Sequence, residues 1–274
     1  MGALGRLKAV MWLGVLLMPT LSLAAGKCER LVATGNPEMP PYLWRDPQDP
    51  KHLVGANVDL LTQVASELGL KIEVLYGGKS SEALAQVHSG RMDLLVGTAL
   101  ETSELQSLDY IHPALLRNDY LVWTRHDSAL VYNGLADLQG HAGAVSQKSR
   151  LTAEFAAQAK VNLNLLPVEN LTQAFQKLLL GQVDYVLAGR YAGAAMAQVL
   201  GMSNELVVRG LPLDRPGLYL ALSHNSACND PWLRGQLAKK MTELPASGLT
   251  EAVLQRNVER WKAHAQQPIG APKQ

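Results

Sequence analysis

The sequence predicts an α/β protein made of two similar lobes, and three observations carry that expectation. From Leu31 onward, short β-rich runs alternate with helical apolar periods, the grammar of parallel strands joined by helical crossovers. One segment recurs: Leu84 to Val96, containing Gly90-Arg91-Met92-Asp93, matches Phe175 to Leu187, containing Gly181-Gln182-Val183-Asp184. The two glycines stand too far apart for a solenoid repeat, so the repeating unit is a lobe. The composition is globular: of 274 residues, 47% are hydrophobic and 18% charged, with 23 glycines and 14 prolines and no tract of either that would indicate a fibrous or disordered chain.

Along the first half, Leu31 to Thr34 reads as a strand and Asn36 to Pro41 as a proline-rich loop. Leu60, Leu61, Val64 and Leu68 form a helical stripe within Val58 to Leu68, stopped by Gly69. Lys71 to Tyr76 alternates as a strand. Ser80 or Ser81 can cap a short helix that runs to His88 and is stopped by Gly90, and Met92 to Val96 is a fully apolar strand. In the second half, Tyr120 to Thr124, Ala142 to Ser146, Val161 to Leu166, Gln182 to Ala188 and Glu205 to Arg209 read as strands. Ser149 to Ala159, Leu171 to Leu180 and Arg190 to Leu200 read as helices. Gly217 to Ser223 is one more strand. The amphipathic helices Pro231 to Leu244 and Leu249 to Trp261 are expected to pack back on the first lobe, and residues 265–274 to form a loose tail.

Residues 1–24 read as a cleaved secretory signal. Arg6 and Lys8 precede an apolar run from Ala9 to Met18, then Pro19, then the small-x-small pattern Ser22-Leu23-Ala24. The run is shorter than the roughly 20 residues of a spanning helix. Lys27 before Cys28 argues against lipid attachment. Export places Cys28 and Cys228 in an oxidising compartment. Joined, they would close a loop of about 200 residues, for which the chain-entropy model gives roughly 5 kcal/mol; the alternative is two buried thiols. Lys plus Arg number 25 against 24 Asp plus Glu. That balance, without a block of like charge, provides no footprint for nucleic acid or an acidic membrane.

Open parallel sheets bind ligands beyond the carboxyl ends of their strands. Those ends are 35–44, 77–81, 97–104, 146–151 and 188–191, and they would meet in the cleft between lobes. Asp93 and Asp184 fall at the opposite strand ends and read as structural turn residues rather than paired catalytic acids.

The chain resembles family 3 of the periplasmic solute-binding proteins, the amino-acid-type receptors of ABC importers. The resemblance is carried by Gly55-Ala56-Asn57-Val58-Asp59-Leu60 with Ala65 and Leu68 behind it, by Gly90-Arg91-Met92-Asp93 followed by Gly97-Thr98, and by Leu108-Asp109-Tyr110-Ile111-His112-Pro113. Leu138-Gln139-Gly140 and Gly181-Gln182-Val183-Asp184 complete it. It implies a two-lobed, hinged, type II-like periplasmic-binding fold, with 25–118 plus 219–264 as lobe 1 and 119–218 as lobe 2. It also implies a periplasmic monomer, a small-molecule solute and an inner-membrane permease or sensor as partner.

The sequence departs from the family at the ligand clamp. The position that in the family carries an Arg for the ligand carboxylate is Glu104, and the position of an Asp for the ammonium is Gly189. The positions of the sandwiching aromatics correspond to Met39 and Ser80. Candidate replacements are Ser149 and Arg150 at an expected helix start, and Arg190 beside Gly189 at another. Tyr42 and Trp44 are candidates to stack on a ligand, and Thr98 and Ala99 lie in the loop after an expected strand.

The leading expectation is a receptor that captures a small polar solute, amino-acid-like or a related amine or organic acid, for an ABC importer. A non-transport variant that reports to a membrane sensor is the alternative. A small-acid lyase or isomerase with Glu104 as acid or base is the third. The chain has no Gly-x-Ser-x-Gly, His-Glu-x-x-His, Cys-x-x-Cys or phosphate loop, and its seven histidines are scattered. Neither a catalytic motif, a metal nor a cofactor is therefore expected.

Overall fold

The computed structural model describes residues 28–266, so the signal segment and residues 267–274 lie outside it. Along the chain, β1 (Arg30–Thr34) leads into three very short antiparallel strands, β2 (Glu38–Met39), β3 (Leu43–Arg45) and β4 (Leu53–Val54). Then come α1 (Ala56–Glu67), β5 (Lys71–Val74), α2 (Ser80–His88), β6 (Leu94–Thr98) and β7 (Leu108–Arg117). The next elements are β8 (Tyr120–Arg125), β9 (Ala142–Ser146), α3 (Ala153–Asn162), β10 (Asn164–Val168), α4 (Leu171–Leu179), β11 (Tyr185–Gly189), α5 (Arg190–Val199) and β12 (Leu206–Asp214). The chain ends with β13 (Gly217–Ser223), α6 (Pro231–Glu243) and α7 (Leu249–Ala265). Ala265, expected in the tail, is therefore helical.

Two five-stranded sheets share one plan. The first runs β5-β1-β6-β13-β7, the second β10-β9-β11-β8-β12. In each, the first three strands are parallel, and the fourth is antiparallel to both of its neighbours. The chain passes between sheets twice, through Asn118-Asp119 and through Arg215-Pro216. The Asn118 N–H donates to the Pro216 carbonyl at 3.0 Å, so the two crossings run side by side.

The repeated segment shows why the plan recurs. Helices α2 and α4 both end on a glycine with positive φ, Gly90 (75°) and Gly181 (68°). In both, the two following N–H groups return to the last turn: Gly90 to Val87 and Arg91 to Gln86, Gly181 to Leu178 and Gln182 to Lys177. This closure satisfies orphan carbonyls and needs a residue free to enter the left-handed region. Three residues later Asp93 exchanges two bonds with Val32, donating its N–H to that carbonyl at 2.7 Å and accepting the N–H on Oδ2 at 2.8 Å. Asp184 does the same with Ala142, at 2.7 and 2.8 Å. Each carboxylate thus fastens the start of one parallel strand to its neighbour.

Packing follows the apolar stripes. Leu60, Leu61, Val64 and Ala65 of α1 are buried against β1, β6, α6 and α7 in the larger core, where full burial of each Leu or Val side chain contributes roughly 1.5–3 kcal/mol. Phe175 and Leu178 of α4 join Trp123 and Val186 in the core of the second sheet. Helix α7 packs on α1 and also on α5 of the second sheet's layer.

The structure corrects several boundaries. Helix α3 begins at Ala153, not Ser149, because Thr152 is its cap. The Thr152 Oγ1 accepts from the Phe155 N–H at 3.2 Å, while Asp214 holds the Thr152 N–H at 2.7 Å and hydroxyl at 2.8 Å. That shift also moves the next strand to Asn164–Val168. Strand β7 runs for ten residues where the sequence shows only the motif Leu108 to Pro113. The loop at 36–41 contains β2. Cys28 and Cys228 form a disulfide, with Cα atoms 5.4 Å apart, tying the segment before β1 to the segment before α6.

Candidate functional site

The carboxyl ends of β6, β9 and β11 face one another across the gap between sheets, and two adjoining cavities fill it. The larger, about 350 Å³, is walled by Glu38 to Pro40 and Tyr42 from the first sheet's side and by Ser146, Lys148 to Arg150 and Gly189 from the second. The smaller, about 90 Å³, lies on the first sheet's side, among Ser80, Gly97 to Ala99, Glu101, Glu104 and Tyr110. Met39 and Arg150 line both. Among the described residues one ion pair spans the gap: Lys148 Nζ stands 3.2 Å from Glu38 Oε1, with both side chains more than half exposed, a geometry worth little in stability.

Of the candidates, Met39, Tyr42, Ser149, Arg150 and Gly189 line the larger cavity, and Ser80, Thr98, Ala99 and Glu104 join Met39 and Arg150 at the smaller. Two candidates lie elsewhere. Trp44 is buried in β3, its indole Nε1 donating to His264 Nδ1 at 3.3 Å and its ring edge-on to that imidazole. This contact with α7 places it outside the walls of both cavities. Arg190 does begin α5, but its side chain lines a separate hollow between α5 and α7, and its N–H is taken by the Asp119 carbonyl at 2.8 Å.

The expectation of free helix-start N–H groups at Ser149 and Arg150 is likewise corrected. The Ser149 N–H donates to the Ser146 carbonyl at 2.9 Å and that of Arg150 to the Tyr120 hydroxyl at 2.8 Å. What remains for a ligand is the Arg150 guanidinium, exposed and without an ion-pair partner among the described residues. Glu104 sits on the 3₁₀ turn Thr102–Gln106, its Oε2 2.6 Å from His88 Nε2 and its side chain 19% exposed. Tyr42 is fully buried, with its hydroxyl on the Arg117 carbonyl at 3.3 Å, so it supports the wall rather than offering a free face. Burial pushes the phenols of Tyr42, Tyr110 and Tyr120 above their ordinary range, so all three are neutral hydrogen-bonding groups at physiological pH.

Sequence reasoning missed Asn118, Met196 and Trp261, all on the wall of the larger cavity. Trp261 ends the expected amphipathic helix from Leu249 and reaches the cavity from α7. Its place four residues after Asn257 and eight after Val253, both buried on α7, was the available signal. Asn118 explains Gly189. A Cβ built on Gly189 would stand 2.5 Å from Asn118 Oδ1, so the amide fills the space that a side chain there would need. Among the described residues, no three or more His, Cys, Asp or Glu side chains gather as a metal site, and no helix is long and apolar enough to cross a membrane.

The paired sheets of one order, the double crossing and the cleft between them define a two-lobed binding protein. The chain belongs to the bacterial extracellular solute-binding proteins, family 3, whose model matches residues 31–258. Solved structures agree with the fold. A histidine kinase sensor domain with similarity to periplasmic binding proteins is 23% identical, with 84% of this chain and 96% of that one covered and a TM-score of 0.61. The second substrate-binding domain of GlnP from Lactococcus lactis, in an open conformation, is 17% identical, with 85% and 97% covered and a TM-score of 0.66. The amino-acid ABC transporter substrate-binding protein AbpA from Streptococcus pneumoniae, bound to L-arginine, is 19% identical, with 84% and 95% covered and a TM-score of 0.57. At such identities the likeness is one of fold. The comparison with curated proteins gives no match.

Proposed function

We propose that this protein is a periplasmic receptor that captures a small polar solute, amino-acid-like or a related amine or organic acid, between its lobes and delivers it, as a monomer, to an inner-membrane permease. The observation that carries the reading is the cleft itself. Two cavities with unpaired polar groups lie where both sheets present their strand ends, beside a double crossing that can act as a hinge. Arg6, Lys8 and the apolar run behind them support export. Family 3 consists of solute-binding proteins, and two of the solved structures named above are a substrate-binding domain and a substrate-binding protein, which supports binding over a lyase or isomerase activity.

The sensory alternative, in which the loaded or empty receptor reports to a membrane protein, is favoured by one observation, the likeness to a histidine kinase sensor domain. Both readings require solute capture. Native mass spectrometry of the gently purified protein, before and after unfolding and refolding, tests it. The expected result is a one-to-one complex with a small solute, lost on refolding and regained from a panel of amino acids, amines, polyamines, short peptides and organic acids. A refolded protein that takes up nothing from the panel contradicts the reading.

A further inference from the structure

The charges of the cleft are divided between its two sides. Glu101 and Glu104 reach the smaller cavity from the first sheet's side, and Arg150 reaches it from the second. Glu104 and Arg150 are not joined: Glu104 is held through one oxygen by His88, and Arg150 has no ion-pair partner among the described residues. The empty space that they border, about 90 Å³, equals roughly three water volumes at about 30 Å³ each, room for a small charged headgroup. Beyond Arg150 the larger cavity continues against apolar groups, among them Leu171, Met196 and Trp261. The one carboxylate on its wall among the described residues, Glu38, is paired with Lys148 at 3.2 Å. At the end of β11 the space behind Gly189 is taken by Asn118, so the second sheet offers no acid there.

Opposite charges that face one space from two lobes without meeting are best satisfied by a solute that carries both. We infer, building on the solute-receptor reading, that Glu104 and Arg150 are the two poles of a zwitterion clamp. The ammonium lies toward Glu104 on the first lobe, the carboxylate pairs with Arg150 on the second, and an apolar side chain enters the larger cavity beside Met196 and Trp261. The ligand class is an α-amino acid with a large apolar side chain. The polarity is the reverse of the Arg-then-Asp pattern from which positions 104 and 189 depart. Without such a solute, closing the lobes would desolvate an unpaired guanidinium, so the clamp favours closure only when loaded.

Calorimetric titration of the refolded, solute-free protein tests this with L-phenylalanine and L-leucine, and with 3-phenylpropionate and 2-phenylethylamine as the matched compounds lacking the amine or the carboxylate. The expected result is that phenylalanine or leucine binds, and that each one-charge analogue of phenylalanine binds about tenfold or more weakly than the parent. Glu104→Gln should weaken the amino acid by about tenfold or more and leave 3-phenylpropionate unchanged, whereas Arg150→Gln should weaken both and leave 2-phenylethylamine unchanged. A misfolded variant would lose all compounds together, so this reciprocal pattern separates charge recognition from folding. If 3-phenylpropionate binds as tightly as phenylalanine, or Glu104→Gln keeps full amino-acid affinity, the clamp is wrong. A protein that ignores both amino acids but binds a different solute overturns the clamp and keeps the receptor reading. A protein that binds nothing in a broad panel overturns both.

Discussion

The Asn118 side-chain oxygen occupies the space beside Gly189, 2.5 Å from where a Cβ would stand. Gly189 has φ −60° and ψ 140°, a conformation open to any residue, so its lack of a side chain reflects space rather than backbone freedom. Gly189→Ala is expected to cost about 1–3 kcal/mol through overpacking. Asn118→Ala placed behind it should recover much of that loss, because it empties the same space. Urea titrations of the two single variants and the double variant measure the coupling; additive losses would mean that the two positions do not compete.

Asp93 and Asp184 hold equivalent strand starts, and Asp93 also accepts a 2.5 Å bond from the Ser226 hydroxyl. Asp93→Asn and Asp184→Asn are each expected to destabilise the fold by about 1–3 kcal/mol, with the Asp93 change the larger. Solute affinity should be unchanged in both, since neither residue lines the cleft. A variant that folds normally but loses binding would return these acids to the site.

The Cys28–Cys228 bond closes a span of 200 residues. Replacing both by Ser is expected to remove about 2–5 kcal/mol, which at this size is a fall of roughly 5–15 °C in midpoint. Thermal melts with and without reductant check this: the wild type should drop on reduction and the double variant should not respond.

His264 links acidity to the last turns of α7. Burial and then the neighbouring Arg260 hold its imidazole below the ordinary value of 6.5, with Asp46 opposing, and the neutral Nδ1 accepts from Trp44. A depressed folded pKa means that this contribution is complete above pH 6.5 and is lost as pH falls through the lowered value. The protection of amides 258–265 against hydrogen exchange, measured relative to their intrinsic rates at each pH, should therefore fall on acidification, and His264→Phe should flatten the dependence.

The parts of the fold that repeat locally were legible in the sequence. Gly90 and Gly181 close their helices through bonds to their own last turns, and Ala142 to Ser146 and Gly217 to Ser223 carry enough β-character to be read alone. The start of α3 was not legible, because Thr152 is chosen over Ser149 by Asp214, 62 residues away. Strands of two or three residues, such as β2 and β3, have no period to detect. At the cleft, Glu104 is legible as a charge reversed from the family pattern, and Arg150 as a candidate replacement at an expected helix start. Trp44 and Trp261 exchanged places, because which tryptophan reaches the cavity depends on how α7 lies across both lobes.

A thermal-shift screen of the refolded, solute-free protein tests the central claim most directly, with amino acids, amines, polyamines, short peptides and organic acids as probes. A true solute at 100 times its dissociation constant adds about 2.7 kcal/mol, a rise of roughly 5–10 °C for a chain of this length. The account predicts such a rise for at least one class, and one that is reduced in Arg150→Gln. A flat response across the whole panel, from protein with native circular dichroism, would contradict capture of a small solute in the cleft.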